Sequence, residues 1–152
     1  MLYNLLKLSH VLSILVWVGG MVFAHFFLRP AAAELPPPER LRLMHGVLSR
    51  FFRVILVLSS WTVVSGLVLI ALARGAAEGF RMPLSWTVMA TLGLVMWAIF
   101  GHIRFALFKR LDRAVAASDW PAGGLAMNAI RQWVGVNLVL GLVVVCVTQV
   151  LR

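Results

Sequence analysis

Four histidines and a spaced row of methionines are the residues of this chain that could do chemistry. They are His10, His25, His45 and His102, with Met82, Met89 and Met96 at strict seven-residue intervals. Imidazole nitrogens and thioether sulfurs are ligands for soft transition metals, and a pair of imidazoles on facing helices is a common axial set for haem b. The single cysteine, Cys146, excludes an internal disulfide and any CxxC metal site. Cations stand beside the histidines. Arg42, Ser49 and Arg53 form a stripe next to His45, and Lys109 follows His102 by seven residues, on the same face of a helix. The five acids, Glu34, Glu39, Glu78, Asp112 and Asp119, all lie in or beside loops, so no span supplies a carboxylate to neutralise Arg53. Such cations suit haem propionates at a membrane boundary, and they suit lipid phosphates equally.

The elements that must position these groups are membrane helices. The sequence is 62% hydrophobic and 12% charged, with mean hydropathy +0.96, far from the composition of a soluble domain. A net charge of +9 could point to nucleic acid, but the basic residues sit at the ends of apolar runs, which reads as lipid headgroups and topology signals. Breaks at "RPAAAELPPPER" (29–40), "RGAAEGFRMP" (74–83) and "SDWPAGG" (118–124) leave four spans at about 4–28, 46–73, 84–108 and 128–151. The first run is longer than a signal-peptide core, so a retained helix is expected. The fold expected is all-α, one domain over 1–152: a polytopic four-helix bundle. The second helix should start early. From Glu39, residues Leu41, Met44, His45, Leu48 and Phe52 make an amphipathic face that projects beyond the bilayer core.

Counting Lys and Arg at the span ends orients the bundle. Arg29, Arg40, Arg42, Arg50, Arg53, Arg104, Lys109, Arg110, Arg113 and Arg131 flank the first and third loops. Only Lys7, Arg74, Arg81 and Arg152 lie on the other side. That bias puts the first and third loops in the cytoplasm and both termini on the periplasmic side of a bacterial inner membrane. His25, His45 and His102 then share the inner half, from three different helices, while His10 lies about two turns in from the outer surface. His10 and His25 are about 60° apart on the first helix and share a face with Lys7, Ile14, Trp17 and Met21, which should turn into the bundle.

Two stretches carry a resemblance to a known family. "LLKLSHVLSILVWVGGMVF" has a basic residue, a histidine three places later and Trp-x-Gly-Gly beyond Ile14. With "FGHIRFALFKRLDRAV" and "IRQWVGVNLVLGLV" it resembles the short, four-helix members of the copper resistance protein D family, over nearly the whole chain. A related pattern occurs in the haem-binding, four-helix membrane protoporphyrinogen oxidases. There the histidine matched by His10 accompanies a lysine early in the third helix, where this chain has "PLSWTVMATLGL", with Met89 and no lysine.

Three functions are therefore expected to compete. The first is a haem b protein for electron transfer, with His25, His45 and His102 as the ligand pool, His10 as a further candidate, and Arg42, Arg53 and Lys109 on the propionates. The second is copper handling by His10, His25, His102 and Met89. The third is a non-catalytic membrane subunit whose small-residue faces dock other helices. Partners expected are the lipid bilayer, a redox or copper-handling protein, and a second copy of the chain.

Overall fold

The computed structural model describes residues 1–76 and 78–150. Ala77 in the second loop, residue 151 at the end of the fourth expected span, and Arg152 of the cation count lie outside the described residues. Among these the chain is all-helical. Four helices are long and apolar enough to cross a membrane: Leu2–Ala32, Pro37–Ala76, Leu84–Ala116 and Trp120–Val150. They run up and down as two hairpins, residues 33–36 joining the first pair and 117–119 the second.

Every helix is longer than its apolar run, and prolines explain two of the differences. The first helix does not stop at Leu28. It passes through a π turn at Ala24–Leu28, where the Arg29 N–H bonds back five residues to the Ala24 carbonyl, and continues to Ala32. The wide turn sits directly ahead of Pro30, which has no N–H to give to an α-helical ladder. "PPPER" opens the second helix instead of ending a loop. Pro37 and Pro38 occupy its first turn, where no donor is needed, and the Arg40 N–H reaches the Pro36 carbonyl at 2.9 Å.

The third break was also expected to be longer than it is. Asp119 caps the fourth helix, its Oδ1 accepting from the Ala122 N–H at 3.0 Å, and Pro121 lies in the first turn. "SDWP" is thus a helix start. Between the third and fourth helices Ser118 takes a positive φ, 55°. The third helix has its own π turn at Ile103–Leu107, immediately after His102, and runs on to Ala116.

The core is aromatic towards the end that carries the first and third connections. Trp17 meets Phe100 edge-on at 6.2 Å, Phe100 meets Phe52 at 5.9 Å, and Phe52 meets Phe108 at 5.4 Å. Edge-to-face pairs of this kind add about 0.5–1.5 kcal/mol each beyond area burial. Gly20 lets the Phe51 ring lie against the first helix, since a Cβ there would collide with the ring's far end. Most of each apolar span remains on the outside of the bundle, as lipid contact requires.

A candidate metal pocket and a basic cavity

The first helix turns His10, Trp17 and Met21 inward, as its spacing predicts, but not Lys7, which lies near the helix end and is exposed. A long lysine there keeps its ammonium in a polar layer at little cost. His10 is 8% exposed and its position is fixed from the second helix. Its Nδ1 lies 2.9 Å from Ser65 Oγ. The Ser65 hydroxyl spends its one proton on backbone carbonyls, Trp61 O at 2.6 Å or Thr62 O at 3.2 Å. Nδ1 must therefore be the donor, and Nε2 carries the free lone pair. That Nε2 is buried and has no hydrogen-bond partner.

The ring needs space as well as a tether. A Cβ at Gly66 would stand 3.0 Å from His10 Cε1, so a glycine beside Ser65 makes room for the imidazole. One turn away, Trp61 Nε1 donates to Ser9 Oγ at 3.2 Å, a second polar link between the two helices. Interhelical hydrogen bonds in a bilayer contribute about 0.6–2 kcal/mol each, enough to hold the local register.

His10 lines a cavity of about 70 Å³ between the helices. Its walls are apolar except for Thr62, whose hydroxyl is already bonded to the Leu58 carbonyl at 2.8 Å. Met89 and Met96 of the third helix, two turns apart on one face, also line it. The methionine row thus divides. Met82 is exposed, Met89 is half-buried, and Met96 is 4% exposed in the core. One bare imidazole nitrogen and two thioethers in a dry cavity form a soft donor set. Met96 was legible as part of the row. Gly66, which admits the imidazole, was legible only as a small residue for close helix packing, and Ser65, which orients the ring, was not singled out from sequence.

The other candidates are placed apart. His45 donates from Nε2 to Asp112 Oδ1 at 2.8 Å and stacks on Phe108 at 5.3 Å. That pairing exists because the third helix carries Asp112 on its extension. His102 is exposed and meets Trp133 edge-on at 5.4 Å. Among the described residues, no three His, Cys, Asp or Glu side chains come together as a metal site. Arg53 is exposed and donates from Nε to the Ser49 carbonyl of its own helix at 3.3 Å, while Arg42 lies over the Trp120 ring at 5.0 Å. Lys109 is exposed, and its carbonyl accepts from Arg113 Nε at 3.3 Å. His25 lines a second cavity, of about 330 Å³, with Arg29, Arg40 and Arg131.

Four apolar helices of this length make the chain a multi-pass membrane protein. The family model for copper resistance protein D matches residues 45–151, and the chain belongs to that family. Met89 and Met96 fall inside the matched stretch, and His10 lies on the first helix outside it. Comparison with curated proteins and with solved structures gave no match. None of the comparisons shows a likeness to protoporphyrinogen oxidases, and the family points to copper, leaving haem b without support.

Proposed function

We propose that this chain is a copper-handling protein of the bacterial inner membrane, working as one four-helix unit over 1–152. It holds Cu(I) in the small cavity on His10 Nε2 and the Met89 and Met96 thioethers. The observation that carries this reading is the bare, buried Nε2 of His10, in a tautomer imposed by Ser65, on a residue that lines a cavity together with Met89 and Met96. Imidazole and thioether favour Cu(I) over the hard cations that carboxylates and carbonyls bind. The apolar walls exclude water, so an ion entering there must exchange its ligands for those of the protein. A histidine that donates through its second nitrogen is the usual form of a metal-bound imidazole.

The test is anaerobic Cu(I) titration of the purified protein against a coloured Cu(I) chelator. One Cu(I) per chain is expected. His10→Ala, Met89→Leu and Met96→Leu should each weaken binding by about tenfold or more, roughly 1.4 kcal/mol. Met82→Leu, on the exposed end of the row, should leave it unchanged. Wild-type affinity in His10→Ala would overturn the assignment. A Soret band in the same preparation that sharpens on reduction would return the reading to haem b.

A further inference from the structure

The second cavity is unlike the first in every respect that selects a ligand. It lies where the end of the first helix, the start of the second and the start of the fourth meet, and it is nearly five times larger. Arg29, Arg40 and Arg131 line it, each from a different helix, with His25 beside them. No carboxylate lines it. Among the described residues the one ion pair is His45–Asp112, so neither Glu34 nor Glu39, on the flanking segment, neutralises these arginines. Three arginines without a carboxylate disfavour a copper ion in this cavity and favour an anion.

The remaining wall specifies what kind of anion. Leu48 lies eight residues beyond Arg40, about 12 Å along the second helix, and Val134 and Ile130 face it from the fourth. The cavity thus pairs its basic residues and Asn128 with an apolar wall of Leu48, Met127 and Val134, Arg131 standing between the last two on the fourth helix. The ring of Trp120 also lines the cavity, and Arg42 stacks over it at 5.0 Å. A small inorganic anion would leave the apolar wall uncovered. An anion with a hydrocarbon chain covers both parts.

We propose that this cavity is a binding site for one anionic phospholipid, its phosphate held by Arg29, Arg40 and Arg131 and an acyl chain lying on the wall of Leu48, Met127 and Val134. Guanidinium forks match phosphate oxygens in pairs, and basic pockets between membrane helices recognise such headgroups. The proposal does not depend on the copper reading.

Native mass spectrometry of the full chain, released from neutral detergent after incubation with phosphatidylglycerol or phosphatidylcholine, tests it. The wild type should retain one phosphatidylglycerol in preference to phosphatidylcholine by about tenfold. Arg40→Gln with Arg131→Gln should abolish that preference. Arg110→Gln with Arg113→Gln, an equal charge loss at the same end of the bundle, should keep it. Val134→Trp fills the wall without touching charge and should also reduce retention. Equal loss in both double variants would overturn the site in favour of general surface attraction. Full displacement of the lipid by millimolar inorganic phosphate would make the ligand a free anion and overturn it likewise.

Discussion

At the scale of single residues, the decisive group is the Ser65 hydroxyl, because it sets which imidazole nitrogen of His10 is free. Replacing it by alanine removes the hydroxyl that accepts from His10 Nδ1, so the ring loses its side-chain tether to the second helix. Orienting partners of metal-bound histidines are worth about 10- to 100-fold in affinity. Ser65→Ala should therefore weaken Cu(I) binding by about tenfold while the fold persists, read by chelator competition beside a thermal melt. Affinity equal to wild type would show that Ser65 only links helices. Arg53→Gln supplies the contrast. That side chain is exposed and bonds its own helix, so the substitution should leave Cu(I) affinity unchanged. The metal-type residues were readable from sequence because imidazole and thioether announce their chemistry wherever they stand. Ser65 was not, and Gly66 was readable only as a small residue for helix packing, because a serine and a glycine in an apolar helix gain their particular meaning from the histidine they face.

At the scale of helices, what was legible followed from composition, and what was missed followed from caps. Four apolar runs with polar breaks fix four helices, and the early start of the second was predicted from its amphipathic face. Pro30, Pro37 and Pro121 were read as helix breakers, yet one lies just past a π turn and two lie in first turns, places where a missing N–H costs nothing. The extension of the third helix to Ala116 then moved Asp112 from a loop onto a helix face beside His45. Helix pairing itself is testable at Gly19 and Gly20. A Cβ at Gly20 would collide with the Phe51 ring, whereas at Gly19 it would meet nothing within 4 Å. Gly20→Ala should lower stability by about 1–3 kcal/mol, and Gly19→Ala should not, in thermal melts of the detergent-purified protein. Equal effects would mean that the first two helices do not approach as closely as they do here.

At the scale of the whole molecule, the two cavities lie in different halves of the bundle, and their chemistry differs as the two sides of a membrane differ. The soft pocket is built around His10, in the half that holds the N-terminus, while the basic cavity lies at the end of the first and third connections. Among the described residues Lys and Arg cluster at that same end, ten there against three at the other. Cations within a few turns of a span resist translocation, so the arginine-rich end should face the cytoplasm, where the anionic leaflet also lies. The lipid site would then draw on the inner leaflet, and the copper pocket would be reached from the outer side. Single cysteines report this directly once the exposed Cys146 is removed as Cys146→Ser. Glu78→Cys, in the second connection, should react with a membrane-impermeant maleimide in intact spheroplasts. Ser118→Cys, between the third and fourth helices, should react only after the membrane is opened. The reverse pattern would place the arginines outside, move the His10 pocket to the cytoplasmic half, and invert the side from which copper enters.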